Sequence, residues 1–528
     1  MSGVVLVMAC LGWVAGGRVE AAAAPVALVG SARPDFRPGS WSEGVGRWIL
    51  RQARQGRVLV LTPEPLVDEL ARYFLHLGAA SAEVVEIPTR YQADAPDLYR
   101  TIAGADALVF PDVAPWKTVT TWRGTRTESA IRDHWRAGKV LAGFGAGAML
   151  LGSPLADRRL GVLTASEALR CPRPPRLTFT DDFLQVLPGV LIEPAFLREG
   201  RLPPLLLGLA ARQAGATRWP GEGGWGSPGL AREPSGMPGP ATGATADGAT
   251  SDGATAERAR AAARPGDRGL AWRGPLLGLG LDERTALVME AGGPATVLGE
   301  GTVWFLVPSA SSVVRLDPRR PPVFTDVRAA LLTEGFVVDL TGPQVVSTPS
   351  SAVPAFPDPP PASPWTLWTI DGSREEAAAA GEMQILQHTH EPLALQLGLL
   401  HRVAGRRTVP WAVLMPNMAA APELIENRIG GVFWALSQQP GQVGVLLDRG
   451  AKAEVEAAGW LTPLPMTEQA SVLIIDSREA QTRAASRWKS WPDAAGPRQS
   501  VALFPLRLHL IDSKVRFSLP TGVVEAGR

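Results

Sequence analysis

Five short apolar runs, Val26–Val29, Val58–Leu61, Val84–Ile87, Asp106–Phe110 and Val140–Gly143, punctuate the first part of this chain. Between them lie amphipathic stretches at Trp48–Gln55, Val67–Leu77, Ala95–Ile102 and Glu128–Ala137. A strand that is apolar on both faces has no side for water and belongs in a sheet covered above and below. Connections long enough to hold a helix let successive strands run parallel. The pattern predicts an α/β fold with a doubly wound, mainly parallel sheet. Thr125-Arg126-Thr127-Glu128 has the form of a capping box and predicts where the last of these helices starts.

The most pointed local feature follows the fifth run. Gly143-Phe144-Gly145-Ala146-Gly147-Ala148 leads from Val140-Leu141-Ala142 into Met149-Leu150-Leu151, which reads as strand, tight turn, helix. Small residues suit such a turn because its backbone is strained and its neighbours are close. Hydrolases built this way carry Ser or Cys at the tip, next to free helix N–H groups. Here the tip is Gly145, so the turn for acyl chemistry is present without an attacking atom.

At 528 residues the chain has length for roughly two to four domains. A formal net charge of +1 with 20% charged residues gives no electrostatic case for nucleic acid. Its two cysteines, Cys10 and Cys171, supply neither a disulfide framework nor a thiolate metal site. The apolar stretch Val4–Ala15, followed by Arg18 and the small residues Ala21 to Ala24, fits a secretory signal cleaved around Ala21 to Ala23, with a plain N-terminal extension as the alternative. The run is too short for a membrane span. The expected location is accordingly exported or envelope-associated if the leader is cleaved, and cytoplasmic otherwise. A lipid-anchored Cys10 ranks below both.

Two segments interrupt the pattern. Residues 215–269 are rich in Gly, Ala, Pro, Thr and Ser, with Gly243-Ala244-Thr245 echoed at Gly248-Ala249-Thr250 and Gly253-Ala254-Thr255. Such a composition cannot bury enough apolar surface to offset its ordering entropy, which predicts a disordered insertion. Residues 347–364, with Pro357, Pro359, Pro360 and Pro361, read as a stiff linker. They divide a first unit at 25–346 from a second, smaller α/β unit at 365–528, after a leader at 1–24.

The first unit resembles the cyanophycinase and dipeptidase E family, serine peptidases with a class I glutamine amidotransferase-like fold. Gly143–Ala148 is similar to that family's Gly-Thr-Ser-Ala-Gly-Ala elbow, with Phe144 for Thr and Gly145 for Ser. Asp106–Phe110 resembles the strand before the family's first substrate loop. Leu187–Ile192, followed by Arg201-Leu202, resembles the segment around its catalytic His, and Gly278–Leu287 resembles its Gly-Ile-Gly-Ile-Asp-Glu segment near the active site. The departures matter as much. The family's Asp-Gln-His-Phe corresponds to Glu193-Pro194-Ala195-Phe196, so Ala195 stands where the base would be. Its Gly-Gly-Asp-Gln corresponds to Pro111-Asp112-Val113-Ala114.

Acyl transfer needs a nucleophile, a base within hydrogen-bond reach and oxyanion donors. Loss of triad members costs ~10⁴-fold to 10⁶-fold in rate. The resemblance therefore implies a degenerate member with vestigial positions Gly145, Ala195 and Glu283. It would act as a non-catalytic binding or assembly module toward a peptide or small-molecule ligand, or within a homo-oligomer. Its expected binding residues are Gly143, Phe144, Gly145, Ala146, Asp282 and Glu283. The alternative is an active serine-type peptidase for arginine-rich or β-aspartyl peptides with a nucleophile elsewhere; a third reading is a purely structural protein of the envelope. Ser153, about two helical turns past Gly145, reads as an ordinary helix-end or loop serine. Asp282 and Glu283 read first as strand-end hydrogen-bonding groups.

The second unit carries faint echoes of the first. Val413–Pro416 and Asn427–Leu436 echo Val190–Ile192 and Arg201–Ala210, Gly444–Ala451 echoes Gly280–Ala286, and Val472–Asp476 echoes Val303–Leu306. Leu506–Leu510 reads as a late strand. This suggests a degenerate half-repeat without an elbow, in which Met418 or Pro422 matches the catalytic His; an unrelated α/β domain is the alternative. His388-Thr389-His390-Glu391, with His401 nearby, lacks matched further ligands, so no metal or cofactor is expected. Trp41, Trp48, Trp116, Trp122, Trp365, Trp368, Trp411 and Trp434 read as core and interface residues.

Overall fold

The computed structural model describes residues 24–216 except 32, 276–349 except 341–343, and then 353–354, 368–371, 412–415, 429–438, 441–448, 451–465, 470–484 and 501–527. The leader, His388, His390, His401, Met418, Pro422 and nearly all of the 215–269 insertion lie outside them. The chain opens with β1 (Val26–Val29), α1 (Trp41–Gln52), β2 (Arg57–Thr62), α2 (Glu69–His76) and β3 (Ser81–Glu86). Then come α3 (Arg90–Ala93), α4 (Pro96–Ala103), β4 (Ala107–Phe110), α5 (Pro115–Trp122), α6 (Arg126–Arg136) and β5 (Val140–Phe144). Each of the five predicted strands is present, and β1, β5, β4, β2 and β3 lie side by side in parallel. On one face Val29, Val58, Val60, Val109 and Ala142 pack under Trp41, Val45, Trp48 and Ile49 of α1. Trp122 of α5 meets Phe110 of β4, and its indole N–H donates to the Ile87 carbonyl oxygen at 3.1 Å.

The capping box forms in altered shape. The Thr125 hydroxyl donates to the Trp122 carbonyl instead of capping, while Glu128 reaches back to the Gly124 N–H at 2.6 Å. The carboxylate still satisfies a free N–H before the helix, which is what the motif is for.

Past the elbow come α7 (Ala146–Met149), the short strands β6 (Gly152–Ser153) and β7 (Leu155–Ala156), α8 (Ala165–Arg170), and β8 (Phe179–Thr180) and β9 (Leu187–Pro188). Ser153 thus sits in a strand, with its hydroxyl on the Asp181 carbonyl. Next are β10 (Val190–Pro194), α9 (Leu202–Ala216), β11 (Leu277–Leu281), β12 (Thr285–Met289), β13 (Ala295–Gly299) and β14 (Val303–Pro308). The first half ends with β15 (Val314–Arg315), β16 (Val323–Leu332), β17 (Val337–Asp339) and β18 (Gln344–Ser347). β12, β13, β17 and β18 extend the first sheet antiparallel from β1, so its parallel part is limited to five strands.

The remaining elements are β19 (Val353–Pro354), β20 (Trp368–Asp371), β21 (Ala412–Met415), α10 (Ile429–Gln438), β22 (Val443–Leu446), β23 (Lys452–Val455) and β24 (Trp460–Pro463). They are followed by β25 (Val472–Asp476), β26 (Gln481–Ala484), β27 (Val501–Ile511), β28 (Val515–Ser518) and β29 (Val524–Ala526). A second sheet runs β21-β22-β25-β27-β16-β14-β11-β10-β6-β9, and a third runs β20-β23-β24-β28-β29. Here the arrangement departs from two separate units. Strands from both sides of the Pro-rich segment share the second sheet, because β16 pairs with β27 along most of its length. One apolar core runs from Leu205 and Leu209 of α9 through Trp304 to Phe433 and Leu436 of α10. Trp41, Trp48 and Trp122 are buried as expected, while Trp116 is partly exposed.

Two histidines are buried within these layers. His134 approaches the Val140 carbonyl oxygen through Nε2 at 3.2 Å, and His509 Nδ1 accepts the Asp326 N–H at 3.1 Å. Burial pushes each imidazole down to about 4. The unfolded chain takes up these protons near pH 6.5 and the folded chain only near 4, so stability falls as pH drops through that window. Each histidine should cost about 2 kcal/mol between pH 7 and pH 5. Urea midpoints at the two pH values should converge in His134→Leu and His509→Leu; an unchanged difference in both would refute the assignment.

Candidate functional site

Parallel strands end on one edge of their sheet, so neighbours deliver their next residues side by side. β5 lies between β1 and β4, with Phe144 level with Val29 and Gly143 level with Phe110. The turn after β5 is thereby flanked by Ser31 on one side and Asp112 on the other. Gly145 takes φ +53° and ψ −126°, a conformation that side chains adopt at a cost of about 1–3 kcal/mol. Its N–H donates to the Val29 carbonyl at 2.9 Å. Gly143 lies against the backbone of Ala148, leaving no room for a Cβ. The strand, tight turn and helix that the sequence pattern predicts are therefore built, and Gly145 is buried in the turn.

The space over the Gly145 tip is occupied by Asp112. A Cβ on Gly145 would fall on the Asp112 carboxylate. That carboxylate accepts the Ala146 N–H through Oδ1 at 2.8 Å and the Ser31 hydroxyl through Oδ2 at 2.8 Å. The N–H that an oxyanion would need is engaged by the chain's own anion. A carboxylate seated there opposes the negative charge that develops in acyl transfer. Neither Asp112 nor Ser31 was among the expected site residues. The signal was nonetheless present: an acid and a hydroxyl just past the ends of the two strands that flank a side-chain-free tip.

The other expected positions form a second corner. Ala195 follows β10, is 3% exposed and has φ +51°. Because Pro194 pairs with Leu281, the chain past Ala195 meets the end of β11: the Phe196 N–H donates to the Leu281 carbonyl at 3.1 Å. The Leu197 N–H donates to Asp282 Oδ1 at 3.1 Å, while Oδ2 accepts the Thr302 N–H at 3.2 Å and its hydroxyl. Asp282 is fully buried, so its carboxylate is a clip between β11, β14 and the chain after β10. Glu283 forms an ion pair with Arg198. The two corners meet at Gly30, whose N–H donates to Thr285 at 2.7 Å and whose Cα faces the Asp282 carbonyl.

Of the six expected binding residues, Gly143, Gly145 and Ala146 form the turn and Asp282 and Glu283 the adjoining corner. Phe144 requires correction: it is 4% exposed and packs edge-on against Phe74 in the core beneath α1 and α2. Strand alternation places it opposite the site. Two cavities among the described residues lie away from the turn. One, of about 20 Å³, is lined by Arg158, Glu193 and Arg201 and has room for a single water; the other, of about 120 Å³, lies between Asp35, Arg37, Glu43 and His76. Among the described residues no group of three or more His, Cys, Asp or Glu could hold a metal ion, and no helix is long and apolar enough to cross a membrane.

No protein-family model matches the sequence, and neither does any curated protein. Among solved structures, a peptidase from an acI-B1 Actinobacterium shares 16% identity, covering 61% of this chain and 98% of its own, at a TM-score of 0.32. A peptidase E-type protein from Listeria monocytogenes EGD-e shares 12% identity over 33% of this chain and 79% of its own, at a TM-score of 0.23.

If Asp112 takes the space over Gly145, substitutions at the two positions are coupled. Gly145→Ser should cost about 1–3 kcal/mol from backbone strain and the crowded carboxylate. Asp112→Ala should cost about 1 kcal/mol, as loss of a cap does. In the double variant the costs should fall short of their sum by at least ~0.5 kcal/mol. Strict additivity in urea denaturation would mean that the carboxylate does not fill this seat.

Proposed function

We propose that this chain is a degenerate relative of the cyanophycinase and dipeptidase E peptidases, doubly wound like them, which works as a non-catalytic binding or assembly module. The observation that carries this reading is the seat of Asp112. Hydrolysis by the inherited route needs an oxygen at position 145, an imidazole at 195 and a free N–H at 146. Gly145 and Ala195 supply neither group, and the Ala146 N–H is bonded to Asp112. The neighbouring acids are committed as well, Asp282 to Leu197 and Thr302 and Glu283 to Arg198. An acid that orients a histidine has nothing to orient here.

Ser31 carries a hydroxyl at the turn. It donates to a carboxylate with no histidine in between, whereas serine hydrolases of this design activate the hydroxyl through an imidazole. If the chain were an active serine-type peptidase, this is the residue that would have to react.

The unmodified protein should release no arginine from a β-aspartyl-arginine dipeptide or from cyanophycin, and a fluorophosphonate probe should leave it unlabelled. Gly145→Ser with Ala195→His should remain inert until Asp112→Ala is added to clear the seat. Turnover by the natural chain that disappears in Ser31→Ala would establish a working peptidase instead.

A further inference from the structure

The second sheet reads the same from both ends. Outward from the β16–β27 pair, one side runs β14, β11, β10, with α9 connecting the last two; the other runs β25, β22, β21, with α10 in the corresponding place. β10 and β11 are parallel, as are β21 and β22, and the other pairs on this path from β11 to β22 are antiparallel. The register agrees residue by residue. Val303 faces Leu281 and Leu332 as its neighbours, and Val472 faces Ile511 in the position of Leu332. Gly278 pairs with Leu306 and Gly444 with Ile475, one matching position in each half. Helix seating repeats too. A Cβ on Gly278 would lie 2.9 Å from Leu209 and 3.2 Å from Leu205, and one on Gly444 would lie 2.6 Å from Val432 and 3.1 Å from Leu436. The third sheet continues the match, since β20-β23-β24-β28-β29 has the order and antiparallel pairing of β1-β12-β13-β17-β18.

The centre of the seam identifies the relation. Arg328 pairs with Arg507, Val327 with Leu508 and Ala329 with Leu506. Through the β14 and β25 registers Arg328 corresponds to Arg507, Val327 to Leu506 and Ala329 to Leu508. Each pair therefore maps onto its mirror, and the central residue faces its own counterpart. In a two-fold interface the residue on the axis must meet itself. Two arginines directly opposed across strands are otherwise unfavourable; here Asp326 at 3.3 Å and Glu479 at 3.6 Å accompany Arg507.

We propose that the C-terminal half is a built-in second subunit: it closes inside one chain a two-fold seam that would otherwise join two copies, and the protein stays a single chain in solution. β20 and β21 are joined through residues 372–411 where β1 and β10 are joined through residues 30–189, and among the described residues the five side-by-side parallel strands and the elbow occur once. The counterpart of Asp282, Asp448, has taken on a cross-half contact: it accepts the Ser166 hydroxyl at 2.8 Å and Arg170 Nε at 2.9 Å, while the Ser471 N–H donates to Leu169 at 2.9 Å. α8 of the first half is thereby held on the second. This seam does not depend on what the elbow does.

The test is cysteine cross-linking of the full chain in a Cys10→Ser, Cys171→Ser background. Mild oxidation of Arg328→Cys with Arg507→Cys should give a disulfide within one chain, and either substitution alone should give none. A two-chain product from a single variant, or no bond in a folded double variant, overturns the proposal. Light scattering of the unmodified protein should independently return the mass of one chain at low and at high protein concentration, where mass action would favour any two-chain form; a two-chain mass overturns it as well.

Discussion

Everything at the candidate site follows from three parallel strands ending together. β1, β5 and β4 are locked in register by their backbone ladders, so Ser31, Gly145 and Asp112 reach the same edge within hydrogen-bond range. The left-handed backbone at Gly145 turns the chain sharply enough to present the Ala146 N–H toward that edge. A buried turn must satisfy its N–H groups, and with no side chain at the tip the neighbouring strand supplies the acceptor. The side-chain-free tip at Gly145 and the seating of Asp112 are thus two parts of one packing solution.

The same accounting explains the two buried acids at the ends of β11 and β22. A carboxylate out of contact with water requires donors around it. Asp282 finds them locally, in Leu197 and Thr302. Asp448, at the matching position, draws on Ser166 and Arg170 of the other half. Equivalent residues therefore do different work: one clips a strand end within its own half, the other ties the halves together.

The parallel part of the first sheet was legible because its strands are apolar on both faces, and that pattern has few other solutions. The elbow was legible for a related reason: a Gly-rich tip between an apolar strand and an apolar helix has few uses. Phe144 was misread as a site residue because adjacency in sequence is not adjacency in space, and a strand turns successive side chains to opposite faces. Asp112 was seen only as a departure from a motif. The echo of the first half was visible only by region, Gly444–Ala451 against Gly280–Ala286, whereas the ladders start the match two residues earlier, with Gly444 at the position of Gly278. A slip of two residues leaves side chains on the correct face, so alternation alone cannot detect it.

Sequence by itself determined the five parallel strands, where the turn falls and that its tip carries no side chain, since these depend on local patterning and on the identity of single residues. Only the tertiary structure decided what sits over that tip and which strand pairs with β16 in the second sheet. Asp112 reaches Gly145 from a different strand, and β27 meets β16 across the whole C-terminal half. Contacts between residues so far apart along the chain are set by ladder register and core packing, which no local stretch encodes.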